Sequence, residues 1–277
     1  MTGFADSANR ARRLDLMGEA SPGRPKGVFR DVVVGADGSA GSQLALRIAA
    51  RLRTDDGRLL ALSVAEVQAA WRTGLEAGNW MNWLRAAAEE TRRESLHELE
   101  DIPHATARVA NGVPGDILLD AVRSRRSDLL AIGPGRSSRA FGLVFGSTAT
   151  RLIRECPCSV LVGRGEVAVD EFPRRIVVGV DGSPHAADAE AVGRLLAGSF
   201  DGQIRRLVAT GGEPVDPLWI DAAVDPRSPV EALTDASRDA DLLIVGSRGL
   251  RGVKAVGSVA ERLAHRAACP VLIVRFG

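Results

Sequence analysis

Cysteine, long apolar runs and surplus charge are all scarce in this sequence, and each scarcity closes off a class of protein. Three cysteines in 277 residues cannot build a disulfide framework, and they fit a reducing compartment. Cys156 and Cys158, separated only by Pro157, sit too close for a zinc knuckle or a thioredoxin-type pair. Cys158 and Cys269 each lead into an apolar run and are expected as buried spacers. No apolar run is long enough to span a bilayer, and the opening MTGFADSANRARRLDLMGEASPGRPKG lacks the apolar core of a secretory signal. A cytoplasmic protein without membrane contact is the expectation. Residues 1–27 mix Arg10, Arg12 and Arg13 with Gly, Pro and Ser, the composition of a flexible tail. Lysine plus arginine number 36 against 35 aspartates plus glutamates, a net charge of +1 that argues against a nucleic-acid surface.

A catalytic set is missing as well. There is no Walker lysine motif, no carboxylate pair placed for general acid–base work and no Ser-His-Asp order with supporting turns. The four histidines, His97, His104, His185 and His265, show no metal-ligand spacing and read as surface or capping residues.

What the chain does contain is a repeat. VVVGADGSAGSQLALRIAARL, from Val32 to Leu52, is echoed by IVVGVDGSPHAADAEAVGRLL, from Ile176 to Leu196. Each copy is an apolar, β-branched run that stops at Asp-Gly-Ser and passes into a helical period. Downstream of the first copy, strand-like RLLALSVAE, ATARVANG, SDLLAIG and CSVLVG alternate with helix-like NWMNWLRAAAEETRRESLHELE, VPGDILLDAVRS and GSTATRLIREC. The second copy is followed by IRRLVAT, WIDAAVD, SPVEALTDASRD, ADLLIVGS, GSVAERLAHRAA and PVLIVRF. Eleven positions separate Ser147 from Cys158, and eleven separate Ser258 from Cys269, so the last helix and strand of the halves align without a gap.

Such alternation predicts a parallel sheet covered on both faces. The fold class is therefore α/β, with two tandem doubly wound, Rossmann-like domains of five parallel strands each, the second shortened. A hydrophobic fraction of 45% suits two cores. Residues 28–165 are expected as the first domain, 166–173 as a linker and 174–277 as the second domain. Where the first half carries Trp71, Trp80, Met81 and Trp83, the second has only TGGEPVDPLW, so the long helix has no counterpart there. Trp80 and Trp83 share a helical face, which suits either packing of that helix on the sheet or a lid or partner surface.

Ligands of open parallel sheets sit beyond the carboxyl ends of the strands. Asp37 and Asp181 stand at such ends. Each carboxylate is placed either to accept hydrogen bonds from a nucleoside or simply to start an Asp-Gly turn and cap the next helix. After the fourth strand, the second half runs through Gly246, Gly249, Gly252 and Gly257 to Ser258 at a helix start. The first half runs through Gly133, Gly135, Gly142 and Gly146 to Ser147 and Thr148. Glycines permit close backbone approach, and free amides at a helix N-terminus attract an anion, so a phosphate chain fits either loop. Arg136 and Arg139 bring positive charge to the first loop and Arg248 is a candidate in the second, although a loop arginine is commonly just solvated.

With these residues in view, the chain resembles the universal stress proteins in their tandem two-domain form, over about residues 28 to 277. Members that bind ATP carry G-x-x-G, nine residues, then G-[S/T], with an Asp at the tip of the first strand. The resemblance implies an adenine nucleotide alpha hydrolase-like fold and a regulatory ATP-binding role in a stress response, with ATP bound alone or with Mg. Turnover would be absent, or at most a very slow hydrolysis. By the same resemblance Asp37 and Asp181, preceded by Gly35 and Gly179, match the nucleoside-binding Asp. Gly133, Gly146 and Ser147 match the phosphate loop of the first half, and Gly246, Gly249, Gly257 and Ser258 that of the second. The family's G-x-P before the third helix appears as Gly112-Val113-Pro114 and departs to Arg227-Ser228-Pro229 in the copy. Two further departures are visible: Arg136 stands where the first loop's second glycine belongs, and only seven residues separate Gly249 from Gly257. The full-length first half is accordingly expected to bind nucleotide more tightly.

Two other functions compete. An ATP-pyrophosphatase-like ligase would have a related fold, but its denser S-G-G-x-D-S turn is supplied by neither GADGSAG nor GVDGSPH. A scaffold with relic sites would account for the motif departures. PVLIVRF is a candidate edge strand for a homodimer.

Overall fold

The structure, a computed structural model, describes residues 27–66, 77–135, 146–212, 221–247 and 259–276. The tail expected at 1–27 falls almost wholly outside these residues. The chain divides into two compact units, one built mainly of 29–156 and 160–164, the other mainly of 165–277.

In the first unit the elements follow as β1 (Phe29–Gly35), α1 (Ala40–Leu52), β2 (Arg53–Ala65), α2 (Ala77–Glu98), β3 (Ala105–Asn111), α3 (Pro114–Arg125), β4 (Leu129–Ile132), α4 (Ser147–Glu155) and β5 (Ser159–Val162). The strands lie in the order β3-β2-β1-β4-β5. β1 pairs in parallel with β2 and β4, and β2 with β3. Chain connections between parallel strands are right-handed, so α1 and α2, which carry the chain outward from β1 to β3, cover one face. The chain then returns across β1 to β4, which places α3 and α4 on the other face. Both faces of β1 and β4 are thus covered, which is why Val32–Val34 and Leu129–Ile132 are buried without alternation.

The second unit repeats this plan with β6 (Arg175–Gly179), α5 (Pro184–Phe200), β7 (Gln203–Ala209), β8 (Ala223–Asp225), α6 (Pro229–Ala236), β9 (Leu242–Gly246), α7 (Val259–Arg266) and β10 (Val271–Val274). Its order, β8-β7-β6-β9-β10, matches the first unit strand for strand. Where α2 carries the first chain from β2 to β3, residues 210–222 alone link β7 to β8, too few for a helix of 22 residues.

Two details add to the sequence reading. α2 turns Ala88 and Ser95 inward and Leu99 just beyond it is buried, while Trp83 is 53% exposed; the Trp80 side chain and Trp71 lie outside the described residues. The segment read as a linker, 166–173, contains a turn of 3-10 helix at Val169–Glu171 and a buried Phe172. Cys158 and Cys269 are buried free thiols.

At the amino ends of the strands, one aspartate in each unit ties the first strand to the fourth. Asp128 accepts the Arg30 and Asp31 N–H groups at 2.9 and 3.0 Å, and Asp241 accepts those of Arg174 and Arg175 at 3.1 and 2.8 Å. Asp31, itself buried, holds Arg125 through two contacts of 2.9 and 3.1 Å, Arg58 at 2.7 Å and the Ser127 hydroxyl at 2.6 Å.

Candidate functional site

The carboxyl ends of the first and fourth strands meet the first turn of a helix in both units, and the local sequence explains how. Asp37 Oδ1 accepts the Ser39 N–H at 2.9 Å, and Asp181 Oδ1 accepts the Ser183 N–H at 3.0 Å. Between them Gly38 and Gly182 take φ of +75° and +76°, a left-handed turn that a side chain resists. The helix cap is the serine, not the aspartate. Ser39 Oγ accepts from the Ser42 N–H at 3.2 Å, and Ser183 Oγ from the Ala186 N–H at 3.2 Å. Each aspartate therefore spends one oxygen on the turn, and its other oxygen has no hydrogen-bond partner among the described residues. Asp37 is half-buried and Asp181 exposed.

The glycines at the strand ends answer to packing first. A Cβ on Gly35 would stand 3.0 Å from Leu118 Cδ1 of α3, and one on Gly179 would stand 3.0 Å from Leu233 Cδ1 of α6. Leu118 and Leu233 each follow the helix-opening proline by four residues, so the two units repeat the same contact. A Cβ on Gly133 would meet the Ser42 amide nitrogen at 2.6 Å, and one on Gly246 would meet the Ala186 nitrogen at 2.9 Å and collide with the His185 carbonyl. Only glycine lets the capped turn approach the fourth strand this closely.

In the first unit the two ends of the phosphate-loop candidate come together. The Gly146 N–H donates to the Pro134 carbonyl at 2.9 Å, and the position a Cβ would take on Gly135 is 3.5 Å from the Gly146 Cα. α4 then starts at Ser147 and Thr148 with no side-chain cap, unlike α1, α5 and α6, whose serines fill that role. Its first-turn amides are open to an anion. Gly112 ends β3, its N–H donating to the Ala65 carbonyl at 3.1 Å. Arg136 lies outside the described residues.

In the second unit the strand ends enclose a cavity of about 120 Å³. Three predicted residues, Gly179, Asp181 and Gly246, line it. Pro229, the proline of the Arg227-Ser228-Pro229 segment, also lines it, together with residues not singled out from the sequence, among them Leu207 of β7, Leu233 of α6, Val245 of β9 and Val259 of α7. The proline-to-leucine spacing that recurs at Pro114 and Leu118 was the available signal. Pockets for drug-sized ligands measure about 300–1,000 Å³. At about 120 Å³ the described part of the cavity is smaller than that. Arg248, Gly249, Gly257 and Ser258 lie outside the described residues.

Where the first unit has Gly112, the second has Arg227, held by Asp225 at 2.7 Å and Asp235 at 3.1 Å. The guanidinium keeps the Asp225 carboxyl below the ordinary carboxylate value, and the two carboxylates push the Arg227 pKa up. A separate cavity of about 250 Å³ lies between α1 and α2, behind the Asp37 turn, and none of the predicted residues lines it. Among the described residues no helix is long and apolar enough to cross a membrane, and no group of three or more His, Cys, Asp or Glu side chains could hold a metal ion.

Comparison with known proteins places this geometry. The sequence model of the universal stress protein family matches residues 29–164 and 220–275, one region in each half. A universal stress protein of Mycolicibacterium smegmatis is 26% identical over 296 aligned residues, spanning 88% of this chain and 96% of that protein. A universal stress protein of Mycobacterium tuberculosis is 26% identical over 303, with the same coverage of 88% and 96%. Among solved structures, a universal stress protein from Archaeoglobus fulgidus superposes with a TM-score of 0.69 over 89% of this chain and 96% of its own, at 18% identity, a likeness of fold.

Proposed function

The chain belongs to the universal stress protein family, in its tandem form, and from that premise we propose that it is a regulatory protein that binds an adenine nucleotide at the carboxyl ends of its strands. The observation that carries this reading is the slot of the second unit, where Gly179, Asp181 and Gly246 converge on apolar walls from four elements. A flat base buries its faces against Leu207, Leu233 and Val245, while a carboxylate with one uncommitted oxygen accepts from an amine or hydroxyl. The uncapped start of α4 supports a phosphate site in the first unit.

Binding rather than turnover is the function. Asp181, which lines the cleft, serves in this reading as an acceptor for the nucleoside, and any ATP hydrolysis should run far below the median enzyme turnover of about 10 per second. Magnesium, where it takes part, would arrive with the nucleotide. We place the protein in the cytoplasm; β10, which has a neighbouring strand on both sides, is not the free edge expected for a homodimer.

The test is mass spectrometry of small molecules released from the purified protein, followed by calorimetric titration with ATP. Asp181→Ala and Asp37→Ala should each weaken one of two sites. Absence of nucleotide in the preparation together with no heat on ATP addition would leave a scaffold with relic sites.

A further inference from the structure

We infer that Ala209 widens the second unit's cleft beside Asp181, so that this half accepts an adenine nucleotide carrying a small alkyl group on its exocyclic amine and the first half does not. The inference rests on the nucleotide reading above and names the ligand class that tells the two halves apart. Ala209 lines the cleft and belongs to no glycine pattern.

Strand register matches the walls of the two halves position by position. Gly35 pairs with Leu62 and Ile132 in the first unit, and Gly179 pairs with Leu207 in the second. The surroundings of the two glycines complete the match. A Cβ on Gly35 would stand 3.0 Å from Leu118 and 3.4 Å from Ile132, and one on Gly179 would stand 3.0 Å from Leu233 and 3.3 Å from Val245. Val245 therefore occupies the place of Ile132. Ala209, two positions beyond Leu207, occupies that of Val64, two beyond Leu62. Both exchanges take apolar bulk away from the second cleft, an isopropyl reduced to a methyl at Ala209 and a sec-butyl reduced to an isopropyl at Val245. Val180, larger than its counterpart Ala36, adds bulk on the opposite face of the sheet, because successive strand side chains alternate. The room is gained on the side of α6.

Asp181 borders this room. The Val180 N–H donates to the Leu207 carbonyl at 3.0 Å, so the pairing of β6 with β7 continues past Gly179. Asp181 and Ala209 are the next positions in that register, on strand ends about 4.8 Å apart. An exocyclic amine whose hydrogen is accepted by the uncommitted Asp181 oxygen has a second hydrogen, and an alkyl group in its place is directed along the strand ends. In the second unit it meets the methyl of Ala209. In the first unit the same group beside Asp37 would meet the branched Val64. Polarity changes in the same sense: Ala186 and Val259 line the second cleft where the first half has Ser42 and Thr148. The second cleft is thus wider and has lost two hydroxyls, which suits a base with added apolar surface.

A residue that sets the width of the base end must change the preference between two bases, whereas one that only supports the fold weakens both ligands alike. The full chain is photolabelled with 8-azido-ATP in competition with ATP or with N6-methyl-ATP, and the label is read separately on peptides of residues 29–164 and 174–277. The readout is the half-competing concentration of N6-methyl-ATP divided by that of ATP. This ratio should be about one for 174–277 and about ten for 29–164, the lower end of what one misplaced methyl group costs in an apolar pocket. Ala209→Val should raise the ratio of the second half about tenfold, and Val64→Ala should lower that of the first by as much. Thermal denaturation accompanies each variant, and Val245→Ile, the other exchange toward the first unit's wall, carries the test if Ala209→Val fails to fold. Equal ratios in the two halves, or a second-half ratio that Ala209→Val leaves unchanged, would overturn the role of Ala209 while labelling by 8-azido-ATP keeps the cleft as a nucleotide site. A wild-type chain that labels nowhere in 174–277 would overturn both.

Discussion

Gly133 lies so close to Ser42 that a Cβ on the glycine would stand 2.6 Å from the serine's amide nitrogen. The fourth strand and the capped turn of α1 are in backbone contact here, and no side-chain rotation can relieve an added methyl. Gly146 is different, since a Cβ there finds 3.6 Å to the Pro134 carbonyl and ordinary φ. Gly133→Ala should cost about 1–3 kcal/mol through overpacking, while Gly146→Ala should leave the unfolding midpoint unchanged. Urea denaturation followed by circular dichroism checks both. Equal destabilisation by the two would mean that the packing account of the strand-end glycines is wrong.

The loop of the first unit keeps the family spacing into Gly146, and α4 begins without a side-chain cap. The first unit should therefore bind ATP more tightly than the second. Gly146→Asp, placing a carboxylate at the start of α4, should abolish the tighter of two calorimetric transitions, and Gly257→Asp the weaker. The reverse assignment would show that loop length does not decide the affinity.

Asp31 holds two guanidiniums and a hydroxyl at the amino end of β1, a cluster remote from the candidate ligand site. Asp31→Asn removes the charge on which Arg125 and Arg58 converge and should destabilise the first unit by about 3 kcal/mol. Arg58 is largely exposed and can turn to water, which sets the effect at the lower end for a buried pair. Nucleotide binding by the folded variant should not change, which calorimetry below the unfolding range would reveal.

Acid should act on the second unit through the start of α6. Arg227 holds Asp225 below its ordinary value, and the Ser228 hydroxyl does the same for Glu231. A depressed carboxylate contributes stability that is fully present above the unfolded values, about 3.9 for Asp and 4.3 for Glu, and disappears as pH falls through the folded ones. Asp225→Asn and Glu231→Gln should therefore lower the unfolding midpoint at pH 7 and converge with wild type near pH 2. A difference that persists in acid would rule out the charged hydrogen bonds as its source.

The repeat, the succession of strands and helices along the chain and the tandem form were legible in the sequence because they are written in local periods. A β-branched run ending in Asp-Gly-Ser can hardly do other than stop a strand, turn left-handed at the glycine and start a serine-capped helix. The shortened middle of the second half was legible by counting, since thirteen residues cannot replace α2. Other features depend on which distant residues share a place, which no local period encodes. The apolar slot is one: Leu207, Leu233, Val245 and Val259 meet only because four elements end at one edge. The division of labour between Asp37 and Ser39 is another, since both residue types cap helices and only the turn's path assigns each its role. Of the two readings open for the tryptophan face, the exposure of Trp83 does not fit core packing, since the buried Ala88 and Ser95 turn a different side of α2 inward. Composition and periodicity, acting over a few residues, determined what the elements are. Which glycine meets a helix, which arginines gather on which aspartate and where a ligand finds apolar walls were decided by the packing of whole elements, whose contacts join residues far apart in the chain.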